Sequence, residues 1–404
     1  MDATVATQED EVFTDAFFQD PYPTYRHYRE IDPALPLTFN LNLEQSQTLA
    51  GTDERTWFLT GHQAVFDALR DHDAFSSALP SPDGATLTEA EQGRLVLINS
   101  DPPRHTALRS IVNRAFTVAR VTSLEPMMRQ LAEDLVAAVP RGEATDLMPA
   151  LCEPLPITVI ATLLGIPPEL RADFKRWSDA MVASADPATL DDNLGQITAM
   201  HEYFGAEVSA RRSAPGGDLI SLLVASDLAD WEAVSFCVLL LLAGNETTRS
   251  LLGCLLAVLS EQPDLWDALK ADRSLVDAAV EEALRYDSPV QVLNRWTKRE
   301  VELHGHQLPA FANVAVAYAA ANRDPSVFPE PDRFRLDRPA ERHVAFGLGA
   351  HFCLGAPLAR AEARLTLEVL LDRVERLERS SAPVRFQSAS RVVRGPVTLP
   401  LVLS

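Results

Sequence analysis

The sequence predicts a mainly α-helical protein with a minor β component, organised as a single domain over residues 1–404. Hydrophobic residues make up 47% of the chain and charged residues 23%, which is typical of a soluble globular protein with a large core. Long segments carry apolar residues at helical spacing, whereas strand-like segments are few. Strands and helices do not alternate as they do in a doubly wound α/β fold.

The individual elements follow from these two periodicities. Apolar residues at i, i+3, i+4 and i+7 predict helices over residues 123–138, 169–184, 193–212, 229–260, 263–270, 275–286 and 357–377. β-branched and aromatic residues predict strands over residues 55–60, 295–303, 313–318 and 397–403. The stretch 213–218, which is rich in Pro, Gly and Ser, predicts a loop between two helices.

The charge balance restricts the partners. The chain has 36 basic and 57 acidic side chains, for a net charge of −21. Nucleic acid is therefore a poor partner, and none is expected, because phosphate binding requires a basic surface. The most apolar stretch, 234–244, is too short to span a membrane, and residues 1–12 lack the basic and apolar regions of a targeting segment. Four cysteines do not form a disulfide framework, so we expect a cytoplasmic protein with no membrane partner.

One cysteine stands apart from the others. Cys353 follows His351 in a glycine-rich stretch, and Pro357 predicts that a helix begins just after it. Backbone N–H groups and the helix dipole at this position favour a thiolate. The glycines let the backbone approach a flat ligand closely. The ordinary interpretation, a free cysteine buried in a core, suits Cys152, Cys237 and Cys254 but does not account for the glycines, the histidine and the helix start around Cys353.

This segment resembles the haem-binding motif of the cytochrome P450 superfamily, and the resemblance extends over nearly the whole chain. The matching residues are Phe346, Gly349, His351, Cys353 and Gly355. Residues 20–25 and 57–77 also fit the bacterial soluble class. The resemblance implies the P450 fold and a haem b cofactor (iron protoporphyrin IX), with Cys353 as the proximal iron ligand.

The resemblance also assigns neighbours to the cofactor. It places Ala243, Phe346, Gly347 and Gly355 against the haem. A Cys-x-x-Cys-His motif is absent from the sequence, so we expect the haem to be held without covalent attachment.

A helical acid–base pair supports this assignment. Glu282 and Arg285 are three residues apart, so they share one helix face and can pair. Taken alone, such a pair is ordinarily a surface ion pair of little energetic value. The resemblance implies instead a buried structural network with an arginine further along the chain, which we expect to be Arg333.

A second pair predicts where the haem carboxylates bind. His105 and Arg109 are four residues apart and point to the same side of a predicted helix. Without context they are ordinarily a solvated basic face. The two haem propionates, however, need charged hydrogen-bonding partners inside a protein. The resemblance implies that His105, Arg109, Arg295 and His351 form this carboxylate clamp.

The long helix 229–260 contains a polar interruption at residues 243–248. A threonine hydroxyl can bond the carbonyl four residues back, here Thr247 to Ala243, and open the helix. A solvated bend would explain this stretch if it stood alone. The resemblance implies an acid–alcohol pair, in which Thr247 donates a hydrogen bond to the oxygen molecule and Glu246 relays protons. Asn245 receives no role.

The substrate pocket is expected to be mainly apolar. By helical spacing and by family position, its lining is Leu239, Leu242, Ala243, Thr247, Val290, Gln291, Val292, Leu293, Val392 and Val393. Because all but two of these are apolar, the substrate should be apolar too. Residues 76–99 and 167–212 are expected to supply the remaining walls. Terpenoids, aromatic hydrocarbons, steroids and macrolide-type molecules all remain open.

The implied reaction inserts one atom of O2 into a C–H bond and reduces the other to water, which requires two external electrons. The sequence has no Gly-x-Gly-x-x-Gly fingerprint for a flavin or nicotinamide, so a separate ferredoxin and its reductase are expected. Arginines near the cysteine side could dock this carrier: Arg104, Arg114, Arg120, Arg360 and Arg364.

Two alternatives remain open, a peroxide-driven peroxygenase and a non-enzymatic haem sensor. The pair His304 and His306 is interpreted as a hairpin tip, since no cysteine or carboxylate cluster accompanies it.

Overall fold

Helices form most of the structure, as predicted, and the computed structural model describes residues 14–37, 56–78, 96–182, 190–339, 343–388 and 390–404. The helices of these ranges are α1 (Asp15–Gln19), α2 (Tyr22–Ile31), α3 (His62–Arg70), α4 (Arg104–Val112), α5 (Val118–Ala138), α6 (Pro154–Leu164), α7 (Arg171–Val182), α8 (Leu190–Ser213), α9 (Leu219–Val224), α10 (Asp230–Glu261), α11 (Pro263–Ala271), α12 (Val276–Tyr286), α13 (Tyr318–Ala321) and α14 (Ala356–Arg373). Among the described residues, no helix is both long enough and apolar enough to cross a bilayer.

The strands form small sheets beside the helices. A five-stranded sheet has the order β1-β2-β8-β5-β3, a three-stranded sheet has the order β4-β12-β9, and β6–β7 and β10–β11 are two-stranded. The strands are β1 (Ala34–Leu37), β2 (Thr56–Leu59), β3 (Phe75–Ser76), β4 (Ala144–Asp146), β5 (Val292–Thr297), β6 (Val301–Leu303), β7 (His306–Leu308), β8 (Asn313–Ala317), β9 (Leu377–Arg379), β10 (Arg385–Phe386), β11 (Pro396–Thr398) and β12 (Pro400–Leu403).

The long helix α10 joins two parts of the hydrophobic core. Its first half, including residues 236–241, packs into a cluster with α6, α8 and α9, whereas residues 251–259 pack into a second cluster with α11, α12 and α14. The polar stretch 243–248 lies between these halves. At the N-terminus of α10, the Glu232 carboxylate accepts a hydrogen bond of 2.8 Å from the backbone N–H of Ala229, which satisfies one open donor.

Most predicted helices are found within a few residues of their expected bounds, and residues 213–218 connect α8 to α9 as predicted. The single strand predicted over 295–303 is wrong: a turn at residues 298–300 divides β5 from β6. Helix α6 was not predicted, because nine of its eleven residues are buried and its sequence therefore shows no amphipathic period.

Helix α14 places the cysteine segment. It begins at Ala356, directly after the N-cap residue Gly355, and packs along α5 and α12. The turn Gly349–His351 that precedes it touches α3. The cysteine segment therefore lies where α3 meets the N-terminus of α14.

Candidate active site

The loop that carries Cys353 is held by backbone contacts. The Cys353 N–H donates a hydrogen bond of 2.8 Å to the carbonyl of Phe346. Gly347 and Gly349 adopt φ values of +68° and +65°, which favour glycine. A Cβ on Gly349 would lie 3.0 Å from the carbonyl oxygen of Leu69, so this glycine also permits a close approach to α3.

The environment of the Cys353 sulfur combines burial with positive groups. Burial raises the pKa of the Cys353 thiol, while backbone N–H groups of Gly355 and Ala356 and the guanidinium groups of Arg109 and Arg360 act in the opposite direction. The N–H groups belong to the N-terminus of α14, as predicted. The site can therefore stabilise a thiolate once a cation lies next to the sulfur.

The four residues expected to hold carboxylates lie together. The His105 and His351 rings are 4.1 Å apart between centroids, and the Nη1 of Arg109 donates to the carbonyl of Ala350 over 3.3 Å. The positive charge of Arg295 acts on both imidazoles. Burial, followed by nearby cations, lowers the pKa of His105 to about 4 and that of His351 to about 2. Two uncharged imidazoles and two guanidinium groups thus share one buried corner.

The His105 imidazole requires a polar partner that the described residues do not supply. Its side chain is 2% exposed, yet neither ring nitrogen has a hydrogen-bond partner among the described residues. The Nε2 of His351, in contrast, lies 3.1 Å from the hydroxyl of Ser77. Leaving a buried polar group unpaired costs about 1–3 kcal/mol. An anionic group beside His105, such as a haem propionate, would supply the missing partner, so the residues present fit the cofactor.

The polar interruption of α10 has the predicted hydrogen bond. The hydroxyl of Thr247 donates to the carbonyl of Ala243 over 2.7 Å. Ala243 is exposed and Thr247 is half-buried, so this turn presents its alcohol to an open side of the helix. The hydroxyl is thus available beside the face on which the pocket residues of α10 lie.

Glu246 points into a buried polar network. Its side chain is 2% exposed, and its Oε1 accepts hydrogen bonds from Ser178 Oγ at 2.9 Å and Asn245 Nδ2 at 3.3 Å. Its Oε2 lies 2.9 Å from Arg249 Nε. Burial raises the pKa of Glu246, while Arg249 and Ser178 oppose the rise. The carboxyl therefore faces α7, and its pKa lies above that of an exposed glutamate.

Sequence reasoning missed Ser178, Asn245 and Arg249 as partners of Glu246. Ser178 lies 68 residues away in the chain, and no local pattern indicates the contact. Asn245 stands next to Glu246, but its side chain could have faced solvent. The i, i+3 spacing of Glu246 and Arg249 was the one available signal.

Five of the predicted pocket residues are only partly buried. Leu242, Val290, Leu293, Val392 and Val393 are half-buried, and a β-bridge joins Val290 to Val393. Leu239 packs inside the main core cluster. Parts of the two regions expected to complete the walls, residues 79–95 and 183–189, lie outside the described residues.

Two pocket predictions are wrong. Gln291 Oε1 accepts from the hydroxyl of Tyr25 at 3.1 Å, and its Nε2 donates to the carbonyl of Ser288 at 2.6 Å. Val292 is buried in the aromatic cluster that contains Tyr25 and Phe58. For Val292 the physical reason is the pleat of β5, in which Leu293 and Arg295 share one face and Val292 takes the other. Gln291 lies just before β5, and its amide is engaged by the hydrogen bonds to Tyr25 and Ser288.

The buried structural pair is present, but its partner differs from the prediction. Arg285 donates two hydrogen bonds to Glu282, over 2.7 and 2.8 Å, and both side chains are almost fully buried. Arg338 Nε completes the network at 3.1 Å from both Glu282 oxygens. Arg333 was the wrong choice: its side chain is 70% exposed and pairs with Glu330, and only its backbone carbonyl joins the network.

Comparison with known proteins agrees with this geometry. The family model described as Cytochrome P450 matches residues 45–170 and 211–399. The chain is 38% identical to cytochrome P450 monooxygenase PikC of Streptomyces venezuelae, over 95% of this chain and 91% of that protein. It is 36% identical to the Vitamin D(3) 25-hydroxylase of Pseudonocardia autotrophica, over 99% and 98%. The solved structure of cytochrome P450 CYP109Q5 from Chondromyces apiculatus superposes with a TM-score of 0.83 at 38% identity, covering 97% of each chain.

Family match, relatives and fold lead to one assignment. Both curated relatives cover far more than two thirds of this chain at well over 30% identity, and the structural match extends over almost all of it. The haem-thiolate chemistry of such enzymes requires a cysteine thiolate, and Cys353 lies at a helix N-terminus, where backbone N–H groups favour one. The chain therefore belongs to the cytochrome P450 superfamily, in its bacterial class, and is a monooxygenase.

Proposed function

We propose that this protein hydroxylates an apolar small molecule with O2 and two electrons from a separate ferredoxin and its reductase. The reaction is RH + O2 + 2e− + 2H+ → ROH + H2O. The observation that carries the proposal is the Thr247 hydroxyl on the open side of α10, where it bonds the carbonyl of the exposed Ala243, with the buried acid Glu246 next to it in the chain.

Some of the site residues would bind the cofactor, and others would deliver protons. A bound haem would supply oxygen binding and activation. We assign to Cys353 the iron contact, and to His105, Arg109, Arg295 and His351 the two propionates. Phe346, Gly347 and Gly355 shape the loop on the cysteine side. Thr247 would hold its hydroxyl toward the oxygen side, and Glu246 would hold and release the protons.

Turnover measurements distinguish the monooxygenase from its alternatives. The purified holoprotein should form product with NADH, a ferredoxin and its reductase, and should form much less with hydrogen peroxide alone. Peroxide-driven turnover that equals the electron-driven rate would favour a peroxygenase. A haem sensor would bind ligands with a spectral shift but oxidise no member of a broad apolar panel.

Thr247→Ala tests the oxygen-side assignment. Without the hydroxyl, protons are delivered less selectively, so we expect electrons to appear mainly as hydrogen peroxide while NADH consumption continues. Thr198→Ala is the matched control, because Thr198 makes the same type of bond to the carbonyl four residues back, over 2.9 Å, on an exposed face of α8. Unchanged product per NADH in Thr247→Ala would contradict the assignment.

The set of possible substrates can be reduced by measuring the shift of the Soret absorption band, which occurs when a bound compound displaces water from the iron. One relative is named as a Vitamin D(3) 25-hydroxylase, and the pocket residues of this chain are apolar. We therefore rank sterol-like molecules first in the panel, followed by macrolides, terpenoids and aromatic hydrocarbons. Shifts confined to charged compounds would contradict the apolar assignment.

The arginine patch proposed for the electron carrier is only partly available. Arg104 pairs with Glu232, Arg360 makes two hydrogen bonds to Glu281, and Arg364 bonds Glu125 and Glu368. Arg114 and Arg120 are exposed, and within the described ranges neither has an ion pair. These two side chains therefore carry the uncompensated positive charge of the patch.

Charge-reversal variants compare the arginines that have no ion pair among the described residues with an arginine that has one. We expect Arg114→Glu with Arg120→Glu to slow reduction by the ferredoxin about tenfold at low ionic strength, because these charges steer association. Arg364→Glu should slow it less per charge, since this guanidinium is already neutralised. Arg299→Glu, on the exposed turn between β5 and β6, is the control. Stopped-flow reduction rates equal to those of the wild type in the double variant would reject the patch.

A further inference from the structure

One short segment, residues 390–394, places two of the predicted pocket residues. These are Val392 and Val393, and both side chains are half-buried. The carbonyl of Val392 accepts a hydrogen bond of 2.8 Å from the backbone N–H of Gln291, and Val393 forms a β-bridge with Val290. The segment therefore runs beside Val290, a third predicted pocket residue, and forms one wall with it.

The segment also ends against α10. Gly395 follows it directly, and a Cβ on Gly395 would lie 2.9 Å from the Cα of Ser250, so only glycine permits this approach. Ser250 stands three residues, just under one helical turn, after Thr247. The segment is therefore held close to the turn of α10 that presents the proposed oxygen-side hydroxyl.

Two side chains outside the predicted pocket shape the backbone of this segment, Gln387 and Ser390. The Nε2 of Gln387 donates to the carbonyls of Ser390, over 2.7 Å, and of Val393, and its Oε1 accepts from the Ser390 N–H at 2.8 Å. The hydroxyl oxygen of Ser390 accepts from the N–H groups of Val392 at 3.1 Å and Val393 at 3.3 Å. Each of these bonds joins a side chain to the backbone of the segment, so the two side chains set the path of the backbone that carries the valines.

The other end of the segment is fixed by charged contacts. The Nε of Arg394 donates to Asp287 over 2.8 Å, and its Nη1 and Nη2 donate to two backbone carbonyls of α1 over 2.7 and 2.9 Å. Arg394 and Asp287 are each 8% exposed, and hydrogen bonds of charged groups are about twice as strong as neutral ones. The neutral bonds of Gln387 and Ser390, both half-buried, are therefore the weaker of the two attachments.

We propose that Gln387 and Ser390 are positioning residues that determine specificity, because they hold the Val392 and Val393 side chains against the substrate without touching it themselves. The proposal rests on the proposed function, which makes these valines part of the substrate pocket. Without either polar side chain, backbone N–H and carbonyl groups of the segment lose their partners and turn to water instead. The wall then moves away from the ligand, and apolar contact with the ligand is lost.

Hydrogen–deuterium exchange of the haem-loaded protein, read by mass spectrometry on the peptide that contains residues 390–394, tests the hydrogen bonds. We expect Ser390→Ala to speed this exchange roughly fivefold, the factor that corresponds to one neutral hydrogen bond. Ser390→Thr keeps the hydroxyl and should exchange like the wild type. Unchanged exchange in Ser390→Ala would overturn the proposal.

Ser380→Ala is the matched control. Ser380 lies between β9 and β10, and its hydroxyl oxygen accepts from the N–H of Ala382 at 3.1 Å, the same distance and spacing as in the bond from Val392 to Ser390. This variant should leave both the exchange of residues 390–394 and ligand binding unchanged. An effect shared by both serine variants would reflect general loosening of this part of the chain and would count against a role specific to the segment.

The second test measures the position of the wall with two iron ligands of different reach. Imidazole binds haem iron through a ring nitrogen, and 4-phenylimidazole does so while its phenyl ring extends into the pocket. We expect Ser390→Ala and Gln387→Leu to raise the Kd of 4-phenylimidazole roughly fivefold in Soret titrations and to leave the Kd of imidazole unchanged. A merely structural role would change both Kd values or neither. A ratio of the two Kd values equal to that of the wild type in both variants would overturn the proposal.

A double-mutant cycle tests whether Ser390 acts through the valines. Val392→Ala with Val393→Ala removes most of the wall, so the addition of Ser390→Ala should weaken 4-phenylimidazole binding little further. A full additional loss in the combined variant would show that Ser390 acts by another route, and it would overturn the proposal.

The proposed function and the positioning role fail in different experiments. If the holoprotein binds both imidazoles but oxidises no member of the apolar panel, the proposed function fails, whereas the Kd ratios and the exchange rates still report on Gln387 and Ser390. If the wild type oxidises an apolar compound and the Kd ratio is the same in all variants, only the positioning role fails.

Discussion

Cys353→Ser is expected to abolish substrate oxidation, and its reduced, carbon monoxide-bound form should lose the thiolate-type absorption maximum. The reason is electronic: a serine hydroxyl ionises far less readily than a thiol, so the iron would lose its anionic sulfur ligand. The backbone N–H groups of Gly355 and Ala356 would then face a neutral oxygen. Absorption spectroscopy of the purified variant, reconstituted with haem, makes the measurement.

Cys237→Ala is the control for the loss of a cysteine. Cys237 is fully buried in the core cluster, and burial raises its thiol pKa, so it is inert. This variant should keep the thiolate spectrum and lose only a modest amount of stability through a small cavity. A thiolate-type spectrum retained by Cys353→Ser would show that another group binds the iron.

Arg338→Ala is expected to lower the free energy of unfolding by about 3–5 kcal/mol, as does the loss of one partner of a buried ion pair. Glu282 accepts from both Arg285 and Arg338 in a site that is almost fully closed to water. Removing one guanidinium leaves the carboxylate short of compensating charge. Urea denaturation of the haem-loaded protein, followed by circular dichroism, measures the loss.

Arg333→Ala supplies the matched comparison five residues away. Its side chain pairs with Glu330 at the surface, and exposed pairs contribute about 0–1 kcal/mol. Its carbonyl, which serves the network, is unaffected by the substitution. If Arg333→Ala destabilised the protein as much as Arg338→Ala, the placement of these two side chains would be wrong.

The site was predictable where the chemistry is local in the chain. The cysteine loop and the helix start after it are contained in ten residues, and the Thr247 bond to Ala243 follows from helix geometry alone. The choice between Arg333 and Arg338 was not predictable, because arginines at 333, 335 and 338 look equivalent until the chain folds back on Glu282. Ser178 could not be found for the same reason, since a helix distant in sequence brings it to Glu246.

Helices with one apolar face were predicted correctly, whereas a helix that is apolar on all sides was not. Helices with one apolar face, such as α12, were located almost to the residue. Helix α6 carries apolar residues on all sides and was missed. Strand-face assignments require the phase of the pleat, which a run such as Val290–Leu293 does not reveal, so Val292 was misplaced. Gln291 was misplaced because Tyr25, which bonds its side chain, is distant in the sequence.

Helix α10 has its two halves anchored in different clusters, with the turn that carries Thr247 between them. Each half of α10 is held in place by its own hydrophobic cluster, so the turn between the halves is restrained on both sides. The second half of α10, residues 251–259, contains none of the predicted pocket residues, so we expect substitutions there to change mainly thermal stability. Substitutions in the turn, and at Leu239 in the first half, are expected to change selectivity.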